Sequence, residues 1–107
     1  MITEIVFFKL QADVDVPTLQ ERYESTAAKW AQNPDLLHKW YFYDAQTHEG
    51  GGVYVWRTRE AAERWHGDEY KAMVERVYGH PPVIRVLDTL AHVDAVQRRY
   101  RMVDRTN

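Results

Sequence analysis

The sequence predicts an α+β protein of the ferredoxin-like class, βαββαβ, with a four-stranded antiparallel sheet and two helices on one of its faces. Three observations predict this. Strand-like and helix-like apolar patterns succeed one another in that order, and Gly, Pro, Asn and Asp signals punctuate their junctions. The 107 residues, 45% of them hydrophobic, build one modest core and not two. That length also excludes a TIM barrel or a complete dinucleotide-binding fold.

Residues 2–10 form the first strand: Ile2, Val6, Phe8 and Leu10 share one parity, Ile5 and Phe7 the other, so both faces are apolar. This apolar run carries Glu4 and Lys9 and has neither a basic leader nor a small-residue cleavage site, so it reads as a strand and not as a signal peptide. Asp13 and Asp15 supply capping carboxylates before Pro17. Val16, Leu19, Tyr23, Ala27 and Trp30 then recur at helical spacing, ending near Asn33-Pro34. Residues 36–43 read as the second strand and 52–57 as the third. The polar, glycine-rich stretch 44–52 reads as their hairpin connection, with a bulge at its glycine end.

Thr58 caps the second helix, Gly67-Asp68 interrupts it, and Tyr70, Met73, Val74 and Val77 continue its inward stripe. Gly79 is a natural C-cap and Pro81-Pro82 forbids continuation. Residues 83–93 read as one over-long last strand. Residues 1–95 are thus expected to form a single ferredoxin-like α/β-barrel domain, and 96–107 a basic tail carrying Arg98, Arg99, Arg101 and Arg105.

Helices cover one sheet face only, yet the first three strands carry large apolar side chains at both parities. The second face, bearing Tyr41, Tyr43, Tyr54 and Trp56 or their alternates, therefore predicts a homodimer packed sheet to sheet. Cysteine is absent, which removes thiolate chemistry and is compatible with the cytoplasm. Lys+Arg number 14 against 16 Asp+Glu, so a field suited to nucleic acid is not expected. No apolar run approaches the roughly 20 residues of a membrane span, and no membrane partner is expected.

The segments Asn33-Pro34-Asp35-Leu36-Leu37-His38-Lys39-Trp40, Glu49-Gly50-Gly51-Gly52-Val53-Tyr54 and Val86-Leu87-Asp88-Thr89 resemble the YdhR-like monooxygenases of the dimeric α/β-barrel superfamily. The resemblance covers roughly residues 1–95. It implies two ferredoxin-like subunits sharing a barrel, and oxidation of an aromatic compound without a cofactor. It supplies no catalytic motif, so the site is argued from side-chain chemistry.

Oxygen insertion without metal or flavin needs an electron-rich phenol or anthrone, a base, donors for the developing oxyanion and a dry aromatic cavity. His38 and His66 are the candidate bases. Tyr23, Trp30, Trp40, Trp65 and Tyr70 are candidate substrate-binding walls, and Arg85 a candidate anion partner. The same rings would also serve simply to fill a core; Tyr54 and Trp56 read as dimer core, and Asp88 as a structural partner of Arg85. The scattered histidines 38, 48, 66, 80 and 92 offer no metal site. No cofactor is expected, with a haem on an axial His66 as the alternative. The expected function is a cofactor-independent monooxygenase acting on a small aromatic or polyketide-like molecule. Alternatives are an acid–base cyclase or isomerase, and a non-catalytic ligand-binding or stress-response module.

Overall fold

The computed structural model describes residues 1–105. Its elements are β1 (Ile2–Lys9), α1 (Val16–Ala31), β2 (Leu36–Asp44), β3 (Glu49–Trp56), α2 (Arg59–Trp65), α3 (Asp68–Tyr78), β4 (Val83–Asp88), β5 (Ala91–Asp94) and β6 (Arg99–Met102). The first four strands form an antiparallel sheet in the order β2-β3-β1-β4, the ferredoxin-like arrangement. The second helix is two pieces, α2 and α3, parted at His66-Gly67. Among the described residues no helix is long and apolar enough to cross a membrane.

Local chemistry sets the helix ends. Asp15 accepts the Thr18 amide at 2.9 Å and Thr58 the Ala61 amide at 3.2 Å, each satisfying an otherwise orphaned donor. Gly79 ends α3 at φ +86°, its amide bonding the Glu75 carbonyl at 2.8 Å.

The pleat divides β1 cleanly. Ile2, Glu4, Val6 and Phe8 are buried beneath the helices, and Thr3, Ile5 and Phe7 face the other side. Register extends that division: Tyr54 and Trp56 lie opposite Glu4 and Ile2, and Lys39 opposite Tyr54, all on the helix side. The open face instead carries the alternates His38, Trp40, Phe42, Val53 and Val55. Tyr54 and Trp56 are thus the subunit's own core, 4% and 0% exposed, and not a surface awaiting a partner.

Three further expectations change. β3 begins at Glu49, so the glycines lie within the strand, and the register irregularity falls between Leu36 and His38. The last strand stops at Asp88. Residues 91–94 turn back as β5 and pair with β6, so part of the expected basic tail is a strand; its last two residues lie outside the described residues. Asp88 pairs with Arg59 at 2.9 Å and Arg105 at 3.2 Å, not with Arg85, because Arg85 is three places away along the strand and so of the other parity.

Gly51 sits between Phe7 of β1 and Phe42 of β2, whose rings meet at 5.0 Å. Its φ is +155°, and a Cβ there would lie 1.9 Å from the Val6 carbonyl oxygen. Gly51→Ala must push β3 from β1. A loss of about 2 kcal/mol or more is expected in a denaturant melt, and an unchanged midpoint would contradict this account of the close approach.

Candidate active site

Between the sheet and the helices lies a cavity of about 280 Å³, walled chiefly by Tyr23 and Trp30 from α1, Lys39 and Tyr41 from β2, Tyr54 from β3, Trp65 from α2 and Tyr70 from α3. Glycine creates its floor. A Cβ on Gly50 would stand 2.5 Å from the Tyr23 hydroxyl, and one on Gly52 2.9 Å from Lys39 Nζ. The space two ordinary strand side chains would fill is therefore given to a phenol and an amine.

The walls are locked by polar handles. The Tyr23 hydroxyl donates to the Phe42 carbonyl at 2.9 Å and accepts the Gly51 amide at 3.0 Å. Its ring stacks on Tyr41 at 4.3 Å, and the Tyr41 hydroxyl bonds Thr26 Oγ1. Trp30 stands edge-on to Tyr54, Trp56 and Trp65 at 5.5, 6.1 and 6.3 Å. Trp65 donates from Nε1 to Asp35 at 3.1 Å, beside an Arg64–Asp35 ion pair at 2.6 Å. Burial pushes the Tyr23, Tyr54 and Tyr70 phenols up, so they stay protonated and serve as donors.

Lys39 is the decisive group. Its Nζ lies 3.6 Å from the Tyr54 ring centre, 4.0 Å from that of Tyr41 and 5.2 Å from that of Trp30. Burial lowers its pKa from 10.5 to about 7, against the opposing pull of the Glu4 carboxylate. Ring faces favour the ammonium and desolvation favours the amine, so both forms are accessible at neutral pH.

Behind the cavity wall, Glu4 Oε1 accepts from Trp56 Nε1 at 2.9 Å and from His66 Nδ1 at 2.5 Å. Both the Glu4 and the His66 side chains are buried, and His66 Nε2 has no hydrogen-bond partner. The His66 ring lies 4.2 Å from Tyr70 and 4.4 Å from Tyr54, two of the cavity-lining phenols. The His66 ring thus lies wholly inside the core, held at Nδ1 by Glu4 and packed beside Tyr54 and Tyr70.

Of the residues singled out from sequence, Tyr23, Trp30, Trp65 and Tyr70 converge on this cavity, with His66 one layer behind. His38, Trp40 and Arg85 do not: strand alternation places them on the open face, where His38 stacks on Trp40 at 5.7 Å and on His92 at 6.3 Å. Sequence reasoning misses Lys39 and Glu4 and sets Tyr41 and Tyr54 toward the partner face. The available signal was charge at an inward parity, Glu4 between Ile2 and Val6 and Lys39 two places before Tyr41.

Residues 5–92 match the family described as Putative mono-oxygenase ydhR. The chain belongs to this family. No curated protein matches it. For a member of the ydhR family, the cavity supplies apolar walls, phenolic donors and one amine of adjustable charge.

The unfolded chain keeps the Lys39 proton up to about pH 10.5, whereas the folded chain releases it near pH 7. Between these limits the unfolded state binds more protons, so the destabilisation due to Lys39 is full below pH 7 and fades as pH rises toward 10.5. Lys39→Met is expected to stabilise the fold by a few kcal/mol at pH 6 and by much less at pH 10. Denaturant melts at the two pH values measure this, and a pH-independent difference would contradict it.

Proposed function

We propose that this cavity oxidises a small, flat phenol or anthrone with molecular oxygen, Lys39 acting as the base. The observation that carries this reading is the Lys39 amine held against aromatic faces in the cavity, its pKa lowered to about 7. General bases work best when their pKa lies near the operating pH.

The neutral amine takes the acidic proton of the substrate and becomes an ammonium beside the Tyr54 and Tyr41 rings. That cation stabilises the substrate anion electrostatically beside apolar ring faces. The anion passes one electron to oxygen, and the substrate radical and superoxide combine, forming a C–O bond. Lys39 returns its proton to the resulting peroxide. Loss of water, with cleavage of the O–O bond and of the remaining C–H bond, leaves a carbonyl; the sum is CH₂ plus O₂ to C=O plus water. Tyr54 and Tyr70 are the lining phenols suited to donate to the substrate oxygen, the Tyr23 proton being held by the Phe42 carbonyl. His66 acts indirectly, as a positioning residue packed against Tyr54 and Tyr70 and held by Glu4.

The open sheet face supports a homodimer. Trp40 is 56% and Val83 60% exposed there, and Phe7, Phe42 and Val55 extend the same apolar surface. A second copy is the occupant whose matching face is equally apolar. The β5–β6 hairpin carries exposed Val93, Tyr100 and Met102, which suit it to reach over that copy.

Two measurements test these readings. With an anthrone panel, oxygen uptake is expected, and Lys39→Gln is expected to lower kcat by about 10²–10⁴ while near- and far-ultraviolet circular dichroism stay unchanged; uptake at full rate by that folded variant sinks the base assignment. In sedimentation equilibrium the chain is expected as a dimer that Trp40→Glu dissociates, and a wild-type monomer at high micromolar concentration sinks the dimer.

A further inference from the structure

We propose that Lys39 is also a nucleophile, condensing with the carbonyl carbon of a flat aromatic or polyketide-like aldehyde or ketone seated in the cavity to form an imine. This goes beyond oxygen chemistry and needs only the cavity and the place of Lys39 in it.

The chain contains four lysines, Lys9, Lys29, Lys39 and Lys71. Lys9, Lys29 and Lys71 are exposed, and Lys39 alone of the four is not. Among the described residues no carboxylate lies within ion-pair distance of Lys39 Nζ; aromatic faces surround it instead. Its lone pair, when the amine is neutral, is therefore not committed to a fixed partner. Gly52 leaves the space that Nζ itself occupies, and the same walls that would hold an aromatic substrate would stack a carbonyl compound against it. A lysine desolvated in an apolar pocket is the usual form of an imine-forming amine. The lowered pKa supports the geometry, since an ordinary lysine carries almost no free amine at pH 7.

In the step, Nζ attacks the carbonyl carbon, a C–N bond forms and the π electrons move to oxygen. One amine proton passes to that oxygen to give the carbinolamine, the second follows as the C–O bond breaks, and water leaves. Amine plus carbonyl gives imine plus water, with no change of oxidation state. The phenols of Tyr54 and Tyr70, kept protonated by burial, are the wall groups suited to donate a hydrogen bond to the departing oxygen.

Lys29 provides an internal control. It lines the same cavity but is exposed, so proximity to a bound aldehyde is shared and desolvation is not. The full chain is incubated at pH 7 with 2-naphthaldehyde and sodium cyanoborohydride, which reduces any imine to a stable secondary amine, and peptides are mapped by mass spectrometry. Alkylation at Lys39 is expected to exceed that at Lys29 at least tenfold, and to fall when 2-naphthol competes for the cavity. Labelling of Lys9 and Lys71, exposed and outside the cavity lining, should be indifferent to 2-naphthol. Equal labelling of Lys39 and Lys29, or Lys39 labelling unaffected by 2-naphthol, overturns the proposal. Lys39→Arg should remove only the protected label; because the competition is read on the wild-type chain, the test stands even if that variant misfolds. Oxygen uptake without trapping at Lys39 overturns the imine and leaves the base role; trapping without oxygen uptake supports the imine and overturns the oxidation.

Discussion

Everything distinctive in this molecule depends on the absence of side chains at Gly50, Gly51 and Gly52, in the first half of a strand flanked on both sides. Gly51 permits a backbone approach that a Cβ would block, and above it Phe7 and Phe42 meet across the open face. Gly50 and Gly52, pointing to the other face, leave hollows taken by the Tyr23 hydroxyl and the Lys39 amine. Glycine within a strand weakens it through entropy and lost packing. Here the loss is offset by a cavity floor, by a phenol bonded directly to strand backbone, and by room for a cation in an aromatic enclosure.

The two charged groups at inward parities are the second feature. Glu4 is 1% exposed in the central strand, a costly place for a carboxylate unless its oxygens are occupied. Trp56 and His66 both reach the same oxygen, joining β3 and the α2–α3 junction to β1 at one point. The break in the second helix thus has a use: it sets His66 at the end of α2, turned inward, while Trp65 faces the cavity mouth and Tyr70 begins the next wall. Lys39 is treated oppositely. It has ring faces and no fixed anion, which makes its charge negotiable, whereas the Glu4 network is a fixed strut.

Much of the fold was readable because it rests on local signals. Strand parity, the Asp15 and Thr58 caps, Gly79 and the Gly67 interruption act within a few residues of themselves. The β5–β6 hairpin also had a local signal. Asp44-Ala45 opens the β2–β3 turn, with Asp44 accepting the Gln46 amide and His48 at φ +55°; Asp94-Ala95 opens the β5–β6 turn, with Asp94 accepting the Gln97 amide and Arg98 at φ +55°. The apolar, β-branched run through residue 93 masked that second turn by suggesting one continuous strand. The candidate site was half legible. Aromatic residues on helix stripes point inward, so Tyr23, Trp30, Trp65 and Tyr70 reach the cavity; His38, Trp40 and Arg85 do not, because which parity of a strand faces the helices is not a local property.

The sequence by itself determined the order of elements, the helix boundaries, the excess of apolar surface over what one sheet face can bury, and the family to which the chain belongs. Tertiary structure alone decided which parity of each strand became interior. That choice is made collectively, by helices docking on one side of a paired sheet, and a one-residue shift in any strand would reverse it. It is this choice that took Lys39 and Glu4, two ordinary charged residues in the sequence, and placed one against the rings of Tyr54 and Tyr41 and the other beneath His66.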